Sequence, residues 1–483
     1  MNDKASTIRF AVLALGLLLA ALSLWQIESK RPDVEVENAW VGQTPVTRYI
    51  TPEGRGPVVV AHGFAGSRPL MNALSWTLAA NGYDVASYDL EGHGLNPVPM
   101  SGDVTDIGGT TRLLTEELVR VMEFAGPEPA LLGHSMATDI LVRAAAERPA
   151  GPIVALSAFS EAVTADHPED LLLIAGEWEA RLIDFGRDAI QQIDPKAIEG
   201  EIVGSRMALV APRVEHVGIL YSPYTLRESV LWLDRAHGVP EREPALATIG
   251  YWVLLLLGAL MVLWWPISRL MPEAPQSGEV PRKAFWWCTG IALITPMAVF
   301  WVELQLLPVL VADYLAMHLG FAGLLQLYVI GYFRVPFGRI AWAGVAALTL
   351  WGIAVFGLAI NAYAANFLPN AERALILAAL ALGAVPFMAA DALVTEGGRA
   401  PLWRRITYRA AFFASLAFAI VLDFEGLFFL ALIAPVILLF FLIFGLMGRW
   451  TATRTGALAP GIALGVILAW SLGVTFPLFQ ATI

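Results

Sequence analysis

Beyond Pro244 the chain is a succession of long apolar runs, approximately 246–266, 285–307, 314–333, 340–361, 371–391, 408–422, 426–447 and 457–479, separated by short polar joints. Most approach the ~20 residues that an α-helix needs to cross a bilayer, which removes most soluble folds for this half of the chain. The 408–422 run is the shortest. A further run, 8–27, begins beside Lys4 and Arg9 and precedes an acidic stretch that starts at Glu28. No clean small-x-small cleavage site follows it, so an uncleaved anchor is expected rather than a removed signal peptide.

The polar joints give these spans a direction. With the N-terminus inside, the joints at 267–284, 334–339, 392–409 and 448–456 become cytoplasmic. They hold Arg269, Arg282, Lys283, Arg334, Arg339, Arg399, Arg404, Arg405, Arg409, Arg449 and Arg454; of the twelve Lys and Arg beyond residue 245, only Arg373 falls on the other side. Such asymmetry is the positive-inside pattern. It predicts nine spans, with residues 28–245 outside the cytoplasm. An alanine- and tryptophan-rich composition suggests a bacterial inner membrane and a periplasmic domain. The expected division is a 1–27 anchor, a 28–245 extracytoplasmic domain and a 246–483 all-α membrane domain of about eight helices.

Composition closes off other classes. The chain is 57% hydrophobic and only 15% charged, with a net charge of −11, so nucleic acid is not an expected partner. The lone Cys288 rules out an internal disulfide or a cysteine-based metal site.

Residues 28–245 carry a soluble pattern. Short apolar runs at 57–62, 84–89, 129–133, 152–157, 170–175 and 206–211 read as strands, and stretches at 71–81 and 110–124 read as helices. Strands alternating with helices predict an α/β doubly wound, mostly parallel sheet.

Three motifs stand at strand ends. Gly133-His134-Ser135-Met136-Ala137 lies between a strand and a helix-like stretch, the setting of a nucleophile elbow with Ser135 at its apex. The flanking positions of such a turn must be small. Gly133 meets this, and Ala137 stands where glycine is usual. Upstream are Ala61-His62-Gly63-Phe64-Ala65-Gly66-Ser67 and Tyr88-Asp89-Leu90-Glu91-Gly92-His93-Gly94.

In this order the three motifs resemble the α/β-hydrolase superfamily of serine esterases and lipases, over about residues 60–240. The resemblance implies that the backbone N–H groups of Phe64 and Met136 form an oxyanion hole. It gives the 88–94 turn a structural role, with His93 a loop residue. It also implies an acid after the 170–175 strand, which selects Glu179 with Glu177 as a competitor. The base after the 206–211 strand is His216, in the chain order Ser…Glu…His. No metal and no organic cofactor is required for that chemistry.

Only residues 158–169 separate the strand after the elbow from the strand before the acid, too few for a substantial helical lid. The 180–205 segment is expected to cover part of the opening at most. The expected substrate is therefore a membrane lipid or other amphiphilic ester, reached at the bilayer. An acyltransferase, or an amidase or peptidase, would use the same residues. A transporter or assembly factor with a non-catalytic binding domain is the reading from another class. Glu303, Asp313, His318, Asp391, Asp423 and Glu425 lie in or near apolar segments, where they either line a polar cavity for a headgroup or mark helix ends in water.

Overall fold

The computed structural model of the chain describes residues 2–101, 107–240, 242–302 and 306–480. The chain divides into two compact units. One is built on a sheet and the other is helical.

The sheet has nine strands: β1 (Glu35–Val41), β2 (Thr44–Ile50), β3 (Pro57–Ala61), β4 (Asp84–Tyr88), β5 (Ala130–His134), β6 (Ile153–Leu156), β7 (Leu171–Gly176), β8 (Ile202–Val203) and β9 (Arg206–Ala211). Their order is β1-β2-β4-β3-β5-β6-β7-β9-β8. From β4 to β9 every neighbouring pair is parallel, while β1, β2 and β8 join antiparallel at the edges. Val58, Val59, Val60, Leu131, Leu132, Val154, Leu171 and Leu172 are wholly buried. Full burial requires cover on both faces, which explains runs that are apolar without alternation.

That cover comes from the helices between strands. In chain order they follow α1 (Asn2–Glu28): α2 (Asn72–Ala80), α3 (Ile107–Ala125), α4 (Met136–Glu147), α5 (Ala180–Gln191) and α6 (Pro223–Ala236). Helices α2 and α6 pack on each other, as do α3 and α4. Helix α5 packs on β7 and β9, so most of the 180–205 segment clads the sheet and does not roof an opening. The β1–β2 hairpin was not expected from sequence. It turns at Gly42-Gln43, with Gly42 at φ 62° where only glycine is unstrained.

The sheet unit also contains residues 360–370 and 477–480, which the sequence pattern assigns to the membrane half. Ser67 Oγ accepts the Asn366 N–H at 2.8 Å, and Asn72 Nδ2 donates to the Ala362 carbonyl at 3.0 Å. The Leu478 N–H donates to the Gly92 carbonyl, and the Met100 N–H to the Leu478 carbonyl, both at 2.8 Å.

The helical unit comprises most of α1, most of α7 (Gly250–Ser268), α8 (Arg282–Val299), α9 (Ala312–Tyr332), α10 (Trp342–Leu350), the start of α11 (Gly357–Tyr363), α12 (Ala374–Val394), α13 (Leu402–Leu422), the short α14 (Phe424–Leu427), α15 (Leu430–Thr455) and α16 (Leu458–Thr475). A π-helical segment, Trp351–Phe356, joins α10 to α11. Among the described residues eight helices are long and apolar enough to span a membrane. The sequence pattern predicts nine. The difference is α8, an 18-residue helix outside the eight, whose Arg282 and Lys283 head and polar-edged Trp286 and Trp287 dilute its hydropathy.

Helix α12 is central, packing on α9 and α16. Glycines permit the approach. A Cβ on Gly461 would lie 2.8 Å from the Ala389 Cα, and one on Gly323 or Gly383 would collide with the backbone of the facing helix. Small residues at such contacts are how helices associate where water provides no hydrophobic drive. Asp423 caps α14 by accepting the Gly426 N–H, and Asp313 accepts N–H groups of Leu306 and Leu307, so both serve chain turns. Asp391 instead pairs with Arg409. Glu303 lies outside the described residues.

Candidate active site

The site is assembled from strand ends on the carboxyl edge of the sheet. Strand β5 stops at His134 and α4 starts at Met136, leaving Ser135 alone in the turn at φ 54°, ψ −121°. A side chain tolerates this strained conformation only when the surroundings enforce it. The enforcement is steric. A Cβ on Gly133 would lie 2.7 Å from Leu141 Cδ1 and 3.3 Å from the Ala137 Cβ. The missing side chain at 133 thus makes room for the alanine at 137.

His216 stands in the loop after β9. Its Nε2 lies 2.9 Å from Ser135 Oγ, and its Nδ1 lies 2.5 Å from Glu179 Oε1. Glu179 is the N-cap residue of α5, directly after β7, and its side chain is 7% exposed. Its other oxygen, Oε2, accepts the Ser157 hydroxyl and the Gly176 N–H, each at 2.7 Å. Burial raises the carboxyl pKa, but the hydrogen bonds from His216, Ser157 and Gly176 outweigh it and hold Glu179 below its ordinary value. The carboxylate is thus kept ionised behind the imidazole.

Glu177, the competing acid, is exposed and accepts the Arg213 N–H at 2.6 Å. Glu215 accepts the N–H groups of Val217 and Gly218, closing the turn that follows His216.

The 61–67 loop lies against the elbow. A Cβ on Gly63 would be 3.0 Å from the Ser135 Cβ and from the His134 carbonyl, so glycine lets this backbone pass close to the elbow. Phe64 follows directly, and Met136 opens α4, which brings the two expected donor residues to neighbouring loops. His62 is fully buried. Its Nε2 accepts the Leu90 N–H at 3.1 Å and its Nδ1 donates to the Gly63 carbonyl at 2.8 Å. This ties the 61–67 loop to the 88–94 turn. Desolvation lowers the His62 pKa, consistent with a neutral structural ring. In the same turn Asp89 accepts the backbone N–H and the Nε of Arg68 and the Leu95 N–H.

Two supporting residues escaped the sequence reading. Ser157 sits at φ 50° at the end of β6, and nothing in its neighbours marks it as a partner of Glu179. His134 lies inside the elbow motif, and its Nε2 donates to the His216 carbonyl at 2.7 Å. Burial, then the neighbouring His216, depress the His134 pKa to about 4, so the ring is a neutral donor.

Apolar side chains follow or precede the site residues in sequence: Phe159, Trp178 and Val217 are all exposed, Trp178 at 68%. Phe159 packs against Phe185 at a tilt, with ring centroids 5.6 Å apart. The Phe64 ring sits between His93 and Phe479 of the C-terminal segment, with centroids 5.8 and 6.4 Å away.

Residues 52–187 match the family described as serine aminopeptidase, S33. No curated protein matches the chain. Among solved structures, a dienelactone hydrolase from Anabaena variabilis is 18% identical over 44% of this chain and 100% of its own, with a TM-score of 0.33. A soluble variant of monoglyceride lipase from Saccharomyces cerevisiae is 14% identical over 43% of this chain and 96% of its own, with a TM-score of 0.31. A carboxylesterase structure from Nitrososphaera gargenis is 12% identical over 42% and 99%, also at 0.31.

Proposed function

We propose that the α/β-hydrolase domain of this chain is a serine esterase that acts on a lipid or other amphiphilic acyl substrate. The hydrogen-bonded chain from Ser135 through His216 to Glu179 carries this reading. Ser135 Oγ attacks the ester carbonyl and gives its proton to His216 Nε2. Phe64 and Met136 N–H groups hold the oxygen that becomes negative. The tetrahedral intermediate collapses, and His216 returns the proton to the departing alcohol. Water then repeats the sequence on the acyl-enzyme and releases the acid, while Glu179 balances the imidazolium in both halves.

Exposed Phe159, Trp178 and Val217, one or two residues in sequence from Ser157, Glu179 and His216, support an amphiphilic substrate, since exposed apolar side chains favour an apolar partner. The eight membrane-length helices fit a lipid source, with the hydrolase domain on the extracytoplasmic side of a bacterial inner membrane. A second reading, cleavage of an amide or peptide bond, is favoured by the aminopeptidase family matched over 52–187.

Hydrolysis by the full chain in mixed micelles separates these readings. Faster release from a long-chain p-nitrophenyl ester than from the acetate is expected, and Ser135→Ala should abolish both. Equal rates on the two esters contradict the amphiphile. Preferential cleavage of amino-acid p-nitroanilides supports the second reading instead.

A further inference from the structure

The helical unit carries a second charged site, remote in kind from acyl chemistry. A cavity of about 190 Å³ opens between α12, α13, α15 and α16, lined by Asp391, Arg405, Arg409 and Arg449 among apolar residues such as Phe441 and Leu464. A single water takes about 30 Å³ in the liquid, so the space admits a larger group.

The charges in this cavity do not balance. Arg409 engages Asp391 with two parallel bonds, Nε to Oδ1 at 2.9 Å and Nη2 to Oδ2 at 2.8 Å. That pair is complete. The Arg405 side chain, one helical turn before Arg409 on α13, makes no hydrogen bond or ion pair with another described residue, and its Nε is buried without a partner. Arg449 on α15 has no partner among the described residues either, and Arg405 feels the repulsion of both Arg449 and Arg409.

The room for these side chains is built in. A Cβ on Gly398 would strike the Arg449 stem at 2.7 Å, and Gly445 lies where the Arg409 guanidinium crosses α15. The cavity lining therefore holds one carboxylate and three guanidinium groups beside apolar helix surface.

We propose that this cavity binds a phosphate-bearing anion, held by Arg405 and Arg449 and backed by the Arg409–Asp391 pair. Planar guanidinium forks match phosphate oxygens in a way a lysine point charge does not. Phe441, Leu442 and Leu464 offer apolar contact to whatever carries the phosphate. The phosphate belongs to a lipid headgroup or to a free anion, and the two are separable.

The test is the thermal unfolding midpoint of the full chain in maltoside detergent, titrated with dioleoylphosphatidylglycerol, with dioleoylglycerol, or with inorganic phosphate. Ligand that binds only the folded state raises the midpoint with concentration. The expected result is stabilisation by the phospholipid beyond that of dioleoylglycerol. Arg405→Gln/Arg449→Gln should weaken it at least about tenfold, while Arg282→Gln on the exposed head of α8 should not change it. A rise with inorganic phosphate as well assigns the site to the free anion chemistry, and a rise with phospholipid alone assigns it to a headgroup. Arg405→Lys keeps the charge, guards against a folding defect and should still weaken binding. No phosphate-dependent rise with either probe, or an unchanged response in the double variant, overturns the proposal.

Discussion

At the residue scale the site rests on pairs of choices that the local backbone makes. Glu179 and Glu177 are two residues apart, yet only Glu179 turns back across the end of β7 to meet His216, because Gly176 and Ser157 supply two donors to its far oxygen. Glu179→Gln should keep the fold and lower kcat about 10³–10⁴-fold, as losing the orienting carboxylate does in such triads. Glu177→Gln should leave kcat at the wild-type value; the reverse ranking would exchange their roles. His134 yields a pH prediction. Its folded pKa is depressed to about 4 from an ordinary value near 6.5. The unfolded chain therefore takes a proton that the folded chain refuses. This residue's contribution is complete above pH 6.5 and is lost as pH falls towards 4, by on the order of 3 kcal/mol. His134→Gln should flatten that part of the stability profile, measured by denaturation across the same range. An unchanged slope would mean the ring is not held neutral.

At the scale of elements, most of the sheet was legible. Runs such as Val58-Val59-Val60 and Leu171-Leu172-Leu173 are apolar because both faces are covered, and their strand bounds fell within a residue or two of expectation. Ser135 and His216 were legible for a related reason, since each follows a strand end that turn chemistry marks. The β1–β2 hairpin was not. Its outer strand, EVENAWV, is largely exposed at a sheet edge and bears charges, so it has no apolar signature. Helix α13 was misplaced because Arg404, Arg405 and Arg409 interrupt hydropathy in its first turns, although the backbone is helical from Leu402. Gly92 tests the least legible element, the C-terminal segment. At φ 77° a new Cβ would meet the Leu478 carbonyl at 2.5 Å. Gly92→Ala should therefore speed hydrogen exchange at the Leu478 and Gln480 amides, which donate to the Gly92 and Met100 carbonyls. Unchanged protection would show that this pairing does not hold the segment.

At the scale of the whole molecule, a chain that composition divides cleanly at Pro244 builds each unit from non-contiguous stretches of sequence. Residues 360–370 and 477–480 belong to the sheet unit, where buried Leu478 and Phe479 meet Gly92, Met100 and Phe64. No hydropathy pattern could announce this, since those segments are merely the polar or short ends of apolar runs. Residues 28–245 expressed alone should consequently melt below the same domain in the full chain. Equal melting would show that the two added segments contribute nothing. The central claim is that Ser135 is a nucleophile activated by His216. Its most direct test is reaction of the full chain with a fluorophosphonate probe, with the adduct located by peptide mass spectrometry. The account predicts one adduct, on Ser135, absent in Ser135→Ala and strongly reduced in His216→Gln. A wild-type chain that stays unlabelled, or carries the probe elsewhere, would contradict it.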